Sequence, residues 1–257
     1  MTNTQQDRLK EVITNCEKTD GFGAQFQIIL TTAIYAELNN KEFFYTPFKI
    51  MEHNYNNDPN FIQKKEQLIN FIGNFETIDE AIKKNYKIQT ANYLAFFDAN
   101  TIACANSNAL KKIKKIFREN KDANNYFDTA KLNIALHLRR PNPHDIWSYG
   151  TDVPDDIYIR VIDKLRVIYA SKTPLFHLYS QGDIQNFGKF NSPDIILHLN
   201  ESIEDTFTSM VLADVLVTGK SSFSYTAGYL SDGTIYHISY AHAPLPHWIP
   251  VDDLLKE

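Results

Sequence analysis

At 257 residues, 43% of them hydrophobic and 13% aromatic, the chain can bury a sizeable core in one large domain or two small ones. Its formal net charge of −5 excludes a global basic field of the kind that recruits nucleic acid, so any anion site must be local. Cys16 and Cys104 are too few and too far apart for a disulfide framework or zinc knuckle, and no apolar run reaches the roughly 18–20 residues of a membrane span.

The opening stretch MTNTQQDRLKEVITNCEK is polar and amphipathic rather than a signal peptide. A soluble, cytoplasmic chain with two free, buried thiols is therefore expected. DGFGAQFQIILTTAIYAELNN, residues 20–40, is a glycine turn leading into a helix with Phe26, Ile29, Ala33 and Ala36 on its apolar stripe. EFFYTPF reads as a strand and EHNYNNDPN as a polar loop. Helices are expected over residues 64–75, 78–85 and 108–120, the last presenting the lysines of residues 111–115 to solvent. NKDANNYFD, residues 120–128, has the composition of a linker.

The second half alternates more regularly. Residues 132–138 form an apolar run of strand length, and residues 155–170 carry Ile157, Val161, Leu165 and Ile168 at helical spacing. PLFHLYS and DIILHLN read as strands; residues 201–213 read as a helix capped by Asn200 or Ser202, with acids in its first turn. The strand DVLVTG, a helix opened by Ser221 or Ser222 and the strand TIYHIS complete the series. This alternation suits right-handed crossovers in a parallel sheet and makes residues 131–245 Rossmann-like. The expected division is a smaller α/β domain over residues 1–125 and the Rossmann-like domain over 126–257.

Three constellations carry chemistry. Arg139 and Arg140 follow the 132–138 strand, at the carboxyl rim where ligands of parallel sheets bind. A guanidinium fork matches phosphate oxygens, although salt bridges to Asp145, Asp152 or Asp155 would equally account for the pair. In VTGKSSFSYTAGYL a strand ends in Gly219 and Ser221 and Ser222 open a helix, whose free amides and dipole attract anions. The spacing is not that of an ATP-binding P-loop, and a plain serine cap is the alternative. DGFG places Gly21 and Gly23 where a tight turn or a close backbone approach is needed. No Asp-x-Asp follows a strand, so no metal–diphosphate clamp is expected, and His242 and His247 lack metal-ligand spacing. No nucleophile–base–orienter set emerges for a hydrolase.

The order of these pieces resembles the fucosyltransferase superfamily of GT-B glycosyltransferases, which includes α1,2-, α1,6- and protein O-fucosyltransferases. DGFGAQFQ is similar to the family's Gly-x-Gly-x-Gln opening, HLRRPNPHD to its His-x-Arg-Arg-x-Asp signature, and ADVLVTGKSSFSYTAGYLS to its donor-side strand and serine turn. The resemblance implies a GT-B-like fold, two Rossmann-like α/β domains facing a cleft. It also implies an inverting, metal-independent transferase that moves a sugar, fucose first, from a GDP-sugar to an oligosaccharide or glycoconjugate, with no cofactor beyond that co-substrate.

Carried onto these residues, the resemblance has Arg139 hold the β-phosphate and stabilise the departing diphosphate, with Arg140 as its structural partner. His137 would lie against the nucleotide, and Asp205 would accept hydrogen bonds from guanine. Ser221 and Ser222, with Phe223 beside them, would meet the diphosphate, and Gly21 and Gly23 would bring the acceptor side's backbone to the donor. Asp20, Glu52 and His53 are the candidates for the general base. One departure stands out. The family's acid follows the arginines after one residue, whereas here Asp145 comes only after Pro141, Asn142, Pro143 and His144. Either Asp145 takes that part across a loop or the part is missing, which leaves a degenerate nucleotide- or glycan-binding module as the alternative.

Overall fold

The computed structural model describes residues 10–140 and 150–256, and Asp145 lies outside them. Two parallel sheets organise the described chain. The smaller has the order β2–β1–β3, with β1 (Glu11–Asn15) between β2 (Glu42–Phe44) and β3 (Lys87–Ala91). The segment read as polar and amphipathic thus contains a central strand: β1 is paired on both edges, and its Val12, Ile13 and Thr14 are buried. β3 escaped notice because it is an edge strand with a mostly polar, exposed sequence, KIQTA.

α1 (Phe22–Leu38) follows β1 and is buried nearly throughout, as expected of a helix apolar on most of its circumference. α2 (Phe61–Ile69) starts and stops earlier than the apolar pattern suggested. Asn70 adopts the left-handed conformation, φ 58°, and ends the helix. α3 (Ile78–Lys83) is opened by a Thr77–Glu80 capping box. α4 (Leu94–Ala99) and α5 (Thr101–Asn106) are single turns or little more, too short for a periodic signal, and lead to α6 (Asn108–Arg118), capped by Ser107. The linker-like stretch is packed: Phe127 is buried against His177, ring centroids 4.8 Å apart. Cys104 is buried and Cys16 half-buried, both free.

The larger sheet has the order β6–β5–β4–β7–β8–β9, every neighbour parallel. Its strands are β4 (Leu132–His137), β5 (Pro174–Ser180), β6 (Ile195–Leu199), β7 (Val215–Thr218), β8 (Thr234–His237) and β9 (Ile249–Pro250). α7 (Asp155–Ile168), α8 (Ile203–Leu212) and α9 (Ser222–Leu230) supply crossovers, and α10 (Val251–Leu254) closes the chain. Numbered from β4, the order is 3-2-1-4-5-6, that of doubly wound nucleotide-binding sheets. The chain runs outward from β4 through β5 and β6, then returns to β7 on β4's other side. A crevice must therefore open between the carboxyl ends of β4 and β7.

One apolar core joins the two halves. Phe22 and Phe26 of α1 pack on Phe207 of α8, centroids 5.1 and 6.0 Å away, and Phe22 also meets Phe223 of α9. A second core lies on the opposite face of the large sheet, under α7 and α10. The two α/β units thus face each other across α1, α8 and α9, a GT-B-like arrangement. The buried Thr226 hydroxyl donates to the Gly23 carbonyl at 3.0 Å, tying α9 to the start of α1. Thr226→Val keeps the shape and removes that donor; the expected loss is about 1 kcal/mol, read as a lower denaturant midpoint with unchanged slope. No helix among the described residues is long and apolar enough to cross a membrane.

Candidate active site

A cleft of about 390 Å³ opens where β4 and β7 diverge, between the large sheet and the start of α1. That is the size of an ordinary small-ligand site. β4 delivers its residues along a fixed path: the Leu138 amide donates to the Tyr179 carbonyl at 2.9 Å, and the Ser180 hydroxyl to the Leu138 carbonyl at 2.9 Å. His137 forms part of the floor, 8% exposed, with Phe223 against its ring and Nδ1 without a partner. Burial, reinforced by the Arg139 charge, pushes its imidazole down to about 3, so it is neutral.

The two arginines part company. Arg139 turns into the cleft, where Tyr55 and Tyr240 flank it; burial lowers its guanidinium from the ordinary value, and the two phenols oppose that shift. It remains charged at any working pH. Arg140 lines the same cleft but is bonded to Asp155 in the first turn of α7 at 2.6 Å, its guanidinium 5.1 Å from the Phe187 ring centre. Of the three acids offered as partners by the sequence, Asp155 is in contact with Arg140, and Asp145 lies outside the described residues.

β7 brings the opposite wall. A Cβ at Gly219 would stand 2.5 Å from the His137 carbonyl oxygen, so only glycine lets the two strand ends pass this closely. Ser221 caps α9, its Oγ accepting from the Phe223 amide at 3.2 Å, while the Ser222 hydroxyl lies 3.2 Å from His242 Nε2. Lys220, Ser221, Ser222 and Phe223 all line the cleft.

The third wall is the start of α1. Gly21 is its N-cap and offers no side chain to the first-turn amides, which leaves them for a ligand. Both glycines line the cleft, yet each is also required for packing. A Cβ on Gly23 would fall 2.3 Å from Phe223 Cα, and one on Gly21 would fall 2.7 Å from the His53 ring. The expected close approach at Gly23 is therefore to the backbone of α9. Gln25 holds this wall in place, its Nε2 donating to the carbonyls of Asp20 at 2.6 Å and Ile50 at 2.9 Å.

Asp20, Glu52 and His53 all reach the cleft. His53 sits at φ 73°, an uncommon conformation for a residue with a side chain. Its Nδ1 is 2.6 Å from the Tyr55 hydroxyl, and burial and then Arg139 lower its pKa against the opposing pull of Glu52 and Asp20. Asp20 accepts from Lys18 at 3.3 Å through Oδ2, whereas its buried Oδ1 accepts no hydrogen bond.

Asp205 is the one sequence candidate that does not line the cleft. It lies in the first turn of α8 and is tied to the helix cap, accepting from the Ser202 hydroxyl at 2.7 Å while its own amide donates to Ser202. The neighbouring Glu201, Ser202 and Thr206 line the cleft instead. Lys18, Lys220, Tyr55, Tyr240 and Glu201 were not singled out from the sequence. Lys220, between Gly219 and Ser221 at a helix start, was the one with a readable signal. Among the described residues no group of three or more His, Cys, Asp or Glu side chains is placed to hold a metal ion.

Fold and site together define a two-unit α/β protein with a cleft, lined by both cations and carboxylates, at the switch point of a doubly wound sheet. No family model and no curated protein matches the chain. Among solved structures it is similar to the GDP complex of POFUT1, at 12% identity over 88% of this chain and 96% of that one, TM-score 0.45. NodZ α-1,6-fucosyltransferase soaked with GDP-fucose is similar at 11% identity over 86% and 93%, TM-score 0.42. The E. coli heptosyltransferase WaaC with ADP is similar at 9% identity over 88% and 86%, TM-score 0.39.

Proposed function

We propose that the chain is a glycosyltransferase that moves a sugar from a GDP-sugar, GDP-fucose first, to a hydroxyl of an oligosaccharide or glycoconjugate, with inversion and without a metal. The observation that carries this reading is Arg139, directed into the switch-point cleft against the opening turns of α9 and α1. A guanidinium, Lys220 and two helix N-termini together supply fixed positive charge where a diphosphate would lie.

In the transfer, the acceptor oxygen forms its bond to the anomeric carbon as the bond from that carbon to the β-phosphate oxygen breaks. The bonding pair leaves with GDP, and Arg139 stabilises the charge that develops there. The acceptor's proton goes to a base on the α1 side. Asp20 stands first among the three candidates, because its Oδ1 is buried and accepts no hydrogen bond.

GDP in hundredfold excess over its Kd, with chelator present, is expected to raise the melting temperature by roughly 5–10 °C. No shift with any nucleoside diphosphate would sink the reading. GDP binding without hydrolysis or transfer from GDP-fucose, GDP-mannose or GDP-rhamnose would favour the binding module.

A further inference from the structure

Four polar side chains form an unbroken hydrogen-bonded line from the interior of the large sheet to the cleft. His177 Nε2 lies 3.1 Å from Asn133 Oδ1, His177 Nδ1 lies 3.0 Å from His198 Nε2, and His198 Nδ1 lies 2.7 Å from Glu201 Oε1. The strand registers Ala135↔His177 and Tyr179↔His198 place these side chains on one face of the sheet. Asn133 and His177 are each 2% exposed, and Glu201 lines the cleft.

The proton positions in this line follow from its buried end. Asn133 Nδ2 donates to the carbonyls of Asp128 at 3.0 Å and Lys131 at 3.1 Å, so Oδ1 must face His177 as an acceptor. His177 therefore carries its proton on Nε2 and accepts at Nδ1, which requires His198 Nε2 to donate. At the other end an ionised Glu201 can only accept, so His198 Nδ1 must also carry a proton. The line is complete only when His198 is an imidazolium between a carboxylate and a neutral imidazole. Burial, then the His198 charge, holds His177 down at about 4, in keeping with its neutral role.

Loss of the second His198 proton breaks at least one bond whichever nitrogen gives it up. If Nδ1 loses it, a lone pair faces the Glu201 oxygen at 2.7 Å. If Nε2 loses it, His177 must change tautomer, and Asn133 must then turn its amine away from both carbonyls. Around this line, β5 presents His177 and Tyr179, whose ring stacks on His198 at 4.4 Å. Glu201 and Asp205 from the start of α8 are the charges bearing on Tyr179, whose hydroxyl burial pushes up.

We propose that His198, as an imidazolium, is a positioning residue that holds Glu201 at the nucleoside end of the cleft, so that donor affinity falls when His198 loses a proton. This rests on the donor reading above. The diphosphate occupies the cationic end, at Arg139 and Lys220. The opposite wall, Gln181, Glu201, Ser202 and Thr206, carries hydrogen-bonding groups and one carboxylate, and suits the N–H groups of a base.

The test is GDP affinity measured across the titration of His198, which is followed by imidazole ¹⁵N shifts in the same protein. Kd is expected to rise roughly tenfold as the imidazolium is lost, the weight of one charge-assisted hydrogen bond, with the kinetic effect on KM rather than kcat. His198→Phe keeps a ring on Tyr179 but neither bonds nor titrates; its Kd should lose the rise that tracks the His198 titration and stand at the wild-type high-pH value, keeping only the pH dependence of the GDP phosphate and of the other cleft groups. Glu201→Gln offers an amide donor to a neutral His198, and should also remove that rise.

A wild-type Kd with no change that tracks the His198 imidazole shifts, or a His198→Phe protein whose pH dependence equals that of the wild type, overturns the proposal. So does finding His177 as the Nδ1–H tautomer, whether or not GDP binds. Absence of GDP binding at every pH overturns the donor reading and this proposal's ligand together, and the imidazole shifts separate that result from failure of the hydrogen-bonded line.

Discussion

Arg139→Ala is expected to abolish the GDP-induced rise in melting temperature and to lower kcat for sugar transfer by about 10²–10³-fold, the range for removing one preorganised donor to developing charge. The guanidinium is a half-buried, permanently charged group at the switch point, and its neighbours do not replace it. His137 is held neutral by burial and by Arg139 itself, and Arg140 is committed to Asp155 at 2.6 Å. Arg139→Lys should fall between the two, since an ammonium keeps the charge but loses the fork that engages two oxygens. Arg139→Ala with an undiminished GDP shift would place the diphosphate elsewhere.

Gly23→Ala is expected to be the most damaging of the glycine-to-alanine changes among the described residues. The added carbon would lie 2.3 Å from Phe223 Cα and 2.5 Å from its amide nitrogen, and neither backbone atom can swing aside. α1 and α9 must separate, which disturbs the Phe22–Phe207–Phe223 cluster between the units. Overpacking of this kind costs about 1–3 kcal/mol or more, and a fall in melting temperature on the order of 5–10 °C is expected. Gly21→Ala is the control. Its clash is with the His53 ring at 2.7 Å, a side chain that can rotate, so stability should suffer less. A Gly23→Ala protein as stable as wild type would show that the contact between α1 and α9 is looser than described.

Much of the large sheet was readable because each of its elements announces itself locally. β4, β5 and β7 are short apolar runs, α7 repeats its apolar residues every third or fourth position, and Ser202 and Ser221 cap the helices they precede. The small sheet was harder. β1 is only five residues long and lies in polar surroundings, and β3 is an exposed edge, so neither shows the alternation that marks a half-buried strand. The cleft was partly legible: eleven of the twelve candidate positions, by membership of its lining, reach it, and Asp205 is the exception. Helical phase explains that exception. Ser202 and Thr206 are four apart and share a face, whereas Asp205 points away to solvent and to its own cap.

By itself the sequence determined the alternation of strands and helices, the glycine turn before α1, the arginine pair at the end of β4 and the serine-capped start of α9. These are properties of neighbouring residues, governed by backbone conformation and helix periodicity. Only the tertiary structure decided that Arg140 is the arginine bound to Asp155, and that Gly23 is shaped by the Phe223 backbone. It alone assembled Asn133, His177, His198 and Glu201 into one line. The physical reason is common to all three. Each depends on a contact between strands or helices far apart in the chain, and such pairings are set by sheet register and by the packing of whole elements, which no local pattern records.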